Sequence, residues 1–266
     1  MLSKSTINNY IDSVPPVPKI LKDCIQAINE ADMIKAANIA DEDKALVHYL
    51  QQIVNKPIFG FANEIKQTRQ IFGILGLARV KQIIYSYFVL LLLPKKWEVF
   101  SFDTHKFQDL QARLILHWSK ILEKIGNQDK NLLGAITIIP ATLIVCEMLF
   151  RNVKDTISIL KVKKNMSYEA ILIKMSGRTL FELAAIIAKK WEFPETTIEF
   201  IADIADVKKG DFGANARALQ FVRLLLIYEF STPVMIQSSL SDLFELPSDF
   251  DEHLLEEFHT IIQEQF

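Results

Sequence analysis

The chain has 266 residues, half of them hydrophobic and 23% charged, which is enough to bury one large core or two small ones and too apolar for intrinsic disorder. Thirty Lys and Arg against 32 Asp and Glu leave a formal charge of −2, which excludes the strongly basic footprint of a dedicated duplex-DNA binder. Eight glycines are few for this length and argue against Gly-rich phosphate loops and turn-dense β folds.

From the N-terminus, Met1 to Asn9 is polar and offers no apolar segment for a signal peptide. Pro15, Pro16 and Pro18 stiffen the lead-in to an amphipathic helix marked by Ile20, Leu21, Cys24, Ile25 and Ile28. Asp43 is placed to cap the next helix, whose apolar face is Ala45, Leu46, Tyr49, Leu50 and Ile53. Asn55-Lys56-Pro57 ends it, because the residue before a proline is pushed out of the α region. Ile58-Phe59-Gly60-Phe61 reads as an apolar loop, and Gly76 closes a segment before a helix from about Arg79 into Leu93.

Phe102-Asp103 precedes a long helix from about Thr104 to Ile125, stopped by Gly126-Asn127. Leu132 to Phe150 is the most buried-looking stretch. Leu180, Leu183, Ala184, Ile187 and Ala188 form another stripe, ended by Trp191-Glu192-Phe193-Pro194, and Glu195 to Val207 follows as a helix. Lys208-Lys209-Gly210-Asp211 is polar punctuation that divides a domain over 12–209 from a helical extension over 210–266, with helices at about Asn215–Phe230 and Asp249–Gln265. No segment alternates as a strand, and no internal repeat is visible, so the fold class is mainly α.

Two uncharged runs, Gln82 to Pro94 and Asn131 to Cys146, are too short or interrupted for a membrane span and are expected as buried core helices. Cys24 and Cys146 lie far apart in apolar surroundings, as expected of free thiols in a reducing cytoplasm.

Catalytic signatures are scarce. There is no Walker-type loop, Gly-x-Ser-x-Gly elbow or Cys-x-x-Cys pair, and Asp211-Phe212-Gly213 copies a kinase tripeptide without the loops that accompany it. His253 with Glu256 and Glu257, and nearby His259, has helical ligand spacing, but no distant set completes a site, so a solvated helix face is expected. His48, His105 and His117 are isolated in sequence, and Arg69, Arg79 and Lys81 read as scattered surface charge.

The ordered series of these elements resembles the HDOD family of helical signalling domains, relatives of the HD phosphohydrolases, over about residues 12–207. Val14-Pro15-Pro16-Val17-Pro18 is similar to the family's proline-led start, and Asp43-Lys44-Ala45-Leu46 to its Asp-Pro-Ala-Leu element, with Lys in place of Pro. Val54-Asn55-Lys56-Pro57-Ile58-Phe59-Gly60 resembles its Val-Asn-Ser stretch, Ile71 with Leu75-Gly76 its Ala-Ile and Leu-Gly pair, and Trp191-Glu192-Phe193-Pro194 its late Trp-x-Leu-Pro turn. The resemblance implies an N-terminal helical lobe, a degenerate HD lobe and a C-terminal helical extension.

In catalytic HD relatives a His-Asp pair helps hold the metal. The corresponding run here is Leu133-Gly134-Ala135-Ile136-Thr137-Ile138-Ile139-Pro140, so Thr137 and Ile138 take the pair's place. The other His positions fall near Leu110, near Leu180 and around Asp203-Ile204, and no His occurs from 118 to 252. Apolar groups cannot coordinate a divalent cation or lower the pKa of its water. The resemblance therefore implies no catalytic, cofactor-binding or metal-binding residues and no cofactor. It implies a cytoplasmic, non-enzymatic regulatory protein that binds signalling partners through grooves between the N-terminal helices and the degenerate HD lobe, with no nucleic acid or membrane involved. A sensor that binds a nucleotide in the vestigial HD cleft, using Arg113, Lys120 or Trp118, is the alternative; a metal-dependent phosphohydrolase is the remote one.

Overall fold

The computed structural model describes residues 4–127, 129–205, 215–246 and 250–263, and among these residues the regular structure is helical throughout. The first lobe comprises α1 (Lys4–Ser13), α2 (Lys19–Asn29), α3 (Met33–Asp41), α4 (Lys44–Val54) and the start of α5 (Thr68–Leu90). Pro18 enters α2 in an extended conformation, and α2 buries Leu21, Cys24, Ala27 and Ile28. The Asp43 carboxylate accepts the Ala45 and Leu46 N–H groups, which is the expected cap, and Asp32 caps α3 in the same way through Lys35 N–H. Asn55 closes the loop after α4: its side chain donates to the Ile65 carbonyl at 2.9 Å and accepts the Ile65 N–H at 2.8 Å. Within that loop, Pro57–Phe59 forms a short 3-10 turn ended by Gly60 at φ 71°, where the sequence suggested only a loop.

Gly76 is the joint between lobes. Its φ of 73° and ψ of 160° break α5 into two lengths, as the sequence indicated, and the second packs on α7 of the next lobe. Helix α5 ends at Leu90, short of the expected Leu93, and Leu91 is exposed. The second lobe follows with α6 (Thr104–Lys124), α7 (Lys130–Ile138), α8 (Ala141–Phe150), α9 (Lys154–Lys164), α10 (Tyr168–Ser176), α11 (Leu180–Lys190) and α12 (Glu195–Asp203). Asp103 caps α6, and Gly126 ends it at φ 69°. Nearly all of α8 is buried. A polar chain runs through the core from the Tyr49 hydroxyl to Gln111 and on to the Ser86 carbonyl, satisfying each group in turn.

By length and composition, Thr68–Leu90 and Asn131–Lys164 are apolar enough to cross a membrane. In the second, 89% of the most apolar window is buried inside the fold, which is the environment of a core helix; in the first the share is 50%.

The remaining described helices are α13 (Ala216–Phe230), α14 (Pro233–Gln237) and α15 (Glu252–Gln263). Helices α13 and α15 pack on α6. Glu229, fully buried on α13, accepts from Arg113 Nε and faces His117 Nδ1, each at 2.7 Å. Arg223 donates to the Ile204 carbonyl at 2.8 Å and the Asp203 carbonyl at 3.0 Å. The start of α10 is stitched to residues 242–245 by Tyr168 and Glu169 N–H groups and by the Glu169 carboxylate, which accepts from Glu245 and Leu180 N–H. The Lys208-Lys209-Gly210-Asp211 punctuation, the Asp211-Phe212-Gly213 tripeptide, the 209/210 boundary and Asp249 lie outside the described residues.

Because Glu229 has no exposed surface, removing Arg113 takes away its guanidinium and leaves the buried carboxylate to His117. Arg113→Ala is expected to lower unfolding free energy by about 3 kcal/mol in urea titration. Lys22→Ala, which breaks the exposed Lys22–Glu192 pair, should cost less than about 1 kcal/mol. Equal costs would contradict this assignment.

Candidate functional site

The positions that the resemblance aligns with the HD ligands are filled with packing. Leu110 on α6, Ile138 on α7, Leu180 on α11 and Ile204 at the end of α12 have 0% exposure, and α12 packs on both α7 and α11. Thr137 is also buried, and its hydroxyl donates to the Gly134 carbonyl at 2.6 Å, so its polar atom is used within its own helix. Asp203 contributes its carbonyl to Arg223. These residues do not fit a divalent metal: four are hydrocarbon, and the hydroxyl is turned to the backbone. Among the described residues, no three His, Cys, Asp or Glu side chains gather as a ligand set.

The other candidate groups are dispersed or already engaged. His253, Glu256 and His259 are exposed along α15, and Glu257 accepts from Arg217, as a solvated face would. His48 is exposed beside Gln52, and His105 pairs with Asp109 at 3.0 Å. His117 is not isolated, because it faces the buried Glu229 carboxylate from a position 112 residues away in sequence. Arg69, Arg79 and Lys81 line three different depressions, so they form no common patch. The residues suggested for nucleotide sensing do not converge on an open cleft: Arg113 is held by Glu229, and Trp118 is fully buried with its indole N–H donating to the Leu132 carbonyl at 2.7 Å.

The thiols are no better placed for chemistry. Both are buried and free, with Cys24 pushed up to about 12 by burial and Cys146 raised by burial and by the neighbouring Glu169 and Glu147 carboxylates. Burial likewise raises the Glu169 carboxyl, and its backbone N–H donors pull in the opposite direction. Glu147, fully buried on α8, accepts from the Glu98, Val99 and Phe100 N–H groups and holds the loop between α5 and α6 in place. These buried carboxylates, absent from the sequence reading, are structural clamps.

What stays open is a groove between the lobes, about 220 Å³ in volume, walled by the α2–α3 turn, the second length of α5, α7 and the start of α12. Tyr85 lies against α7 at Gly134, where a Cβ would come within van der Waals contact of its ring at 3.4 Å, and packs at a tilt on Phe193 with centroids 4.1 Å apart. The late turn is tied back to the proline lead-in, because Trp191 Nε1 donates to the Pro15 carbonyl at 2.9 Å. A second, more open hollow adjoins it through Ala78 and Leu133 and includes Arg79, Glu123 and Asp129.

A family model described as the HDOD domain matches residues 14–207. Among solved structures, an HDOD domain protein of unknown function from Geobacter sulfurreducens is similar at 16% identity, with a TM-score of 0.66, over 97% of this chain and 86% of that one. A candidate phosphohydrolase from Shewanella amazonensis SB2B is similar at 15% identity, with a TM-score of 0.68, over 96% and 93% of the two chains. No curated protein matches significantly.

If hydrocarbon fills the HD positions, stability should respond to packing and not to metal. Leu110→Ala is expected to cost about 2–5 kcal/mol in denaturant unfolding. Excess chelator should leave the thermal midpoint of the unmodified protein unchanged. A midpoint lowered by chelator and restored by a transition metal would contradict the packed cluster.

Proposed function

The chain belongs to the HDOD family, and we propose that it is a non-enzymatic, cytoplasmic regulatory protein that acts through contacts with other proteins. The observation that carries this reading is the burial of Leu110, Ile138, Leu180 and Ile204, together with the inward hydrogen bond of Thr137, at the positions where catalytic HD relatives hold their metal. A phosphohydrolase of that type needs a cation to polarise the phosphoryl group and to supply hydroxide near neutral pH. Leucine and isoleucine provide neither. Filling the same volume with side chains keeps the helices packed without an ion and leaves the surface as the means of action.

The thiols agree with a reducing compartment, since two free cysteines in separate parts of the core have no oxidised partner to form. Fold likeness to a candidate phosphohydrolase at 15% identity does not transfer an activity.

The test is turnover under conditions that favour an enzyme. Purified full-length chain with added manganese, iron or magnesium should hydrolyse bis(p-nitrophenyl) phosphate and p-nitrophenyl phosphate no faster than the buffer blank. In parallel, affinity purification at native expression should return a partner protein in stoichiometric amount. Metal-dependent turnover that scales with enzyme would overturn the regulatory reading and put the phosphohydrolase first.

A further inference from the structure

Helix α9 turns apolar residues outward. Of its 11 residues only Ile157 is buried, while Ile159 is 53% and Val162 82% exposed. The helix is held to the domain by its inner side. There the Lys161 ammonium donates to the Asp242 carboxylate and lies 3.8 Å from the centre of the Tyr168 ring. On that side α9 also packs against α10 and the Arg151–Val153 turn.

Asp155, Ile159 and Val162 fall at i, i+4 and i+7, and Lys163 follows Ile159 by four residues, so the four share the outer face, where all are exposed. The charges on this face are sorted along the axis. The first turn carries Asp155, and the last turn carries Lys163 and Lys164 besides the anchoring Lys161. Lys154 lies about 100° around the helix from Asp155. Among the described residues, neither the Asp155 carboxylate nor the Lys163 ammonium has an ion-pair partner. The face therefore runs from a negative end, through two aliphatic side chains, to a positive end.

Such a face is complementary to itself. Two copies laid antiparallel about a twofold axis near Ile159 bring the Ile159 side chains together and flank them with Val162. Positions four residues to either side of the axis then meet, which sets Asp155 of each copy opposite Lys163 of the other. The helix dipoles are opposed in the same arrangement. A parallel pair would set lysine against lysine. A purely acidic partner, or an anionic bilayer, would answer the lysines and repel Asp155. We propose that the outer face of α9 is a self-association surface, on which a second copy of this chain docks antiparallel through Ile159, Val162 and reciprocal Asp155–Lys163 pairs. This goes beyond the regulatory reading and does not depend on it. A helix about 16 Å long offers less area than a stable dimer needs, so the association is weak and follows concentration.

Sedimentation velocity on the full chain, over about 5–500 µM, tests this. The weight-average mass should rise from monomer towards dimer across that range. Val162→Asp should weaken dimerisation by about tenfold or more, with unchanged far-ultraviolet circular dichroism because the side chain is exposed. Asp155→Lys and Lys163→Asp each turn two attractions into two repulsions and should each weaken it by about tenfold. The double variant exchanges the charges and should restore most of the loss. A chain that stays monomeric at the highest concentration, a dimer indifferent to Val162→Asp, or a double variant no better than either single one would overturn the proposal. So would a monomer that floats with vesicles of equal parts phosphatidylserine and phosphatidylcholine, which would give the face to a membrane.

Discussion

A carboxylate taken wholly out of water must be answered by donors where it lies, and three glutamates impose that requirement on the way these helices assemble. Glu147 on α8 collects three successive N–H groups from the loop that joins the lobes. Glu169 on α10 accepts from Leu180 at the start of α11 and from Glu245 beyond α14. Glu229 on α13 takes Arg113 and His117 from α6. Each spans a large separation in sequence, so segments that share little local logic are held in fixed register. Apolar burial supplies most of the stabilisation in a core of this size, whereas these charges specify which surfaces meet.

The same core fills the positions that the HDOD resemblance aligns with the metal ligands of catalytic HD relatives. There, hydrocarbon and an internally bonded threonine occupy the space, and α12 packs on α7 and α11. The groove that remains lies elsewhere, at the joint made by Gly76, where α5 changes direction and the first lobe meets α7 and α12. It is bounded by both lobes, so whatever occupies it contacts both.

Features governed by local chemistry were legible in the sequence. Asp43 caps its helix, Gly76 and Gly126 adopt positive φ at helix breaks, and the Leu180–Ala188 stripe is buried. The HDOD resemblance placed the apolar substitutions at the HD positions, and those residues are buried. What could not be read were features whose partners are distant. A lone glutamate on a helix reads as solvent-exposed, and nothing near Glu229 announces that Arg113 and His117 await it more than 110 residues earlier. Helices α1, α3, α9, α10 and α14 also escaped notice. Helix α9 buries a single residue, Ile157, and leaves Val162 82% exposed, so it lacks the stripe on which periodicity depends. The groove escaped for a related reason: its walls come from α2, α5, α7 and α12 and meet only when those helices pack together.

Metal content of the purified full chain, measured by plasma mass spectrometry after incubation with manganese, iron and zinc and then gel filtration, addresses the filled HD positions most directly. A hydrocarbon cluster predicts transition metal far below stoichiometry, indistinguishable from a Leu110→Met variant that preserves the packing. A stoichiometric metal that survives filtration would mean that the ligands lie elsewhere in the chain, and it would contradict a protein that works by its surfaces alone.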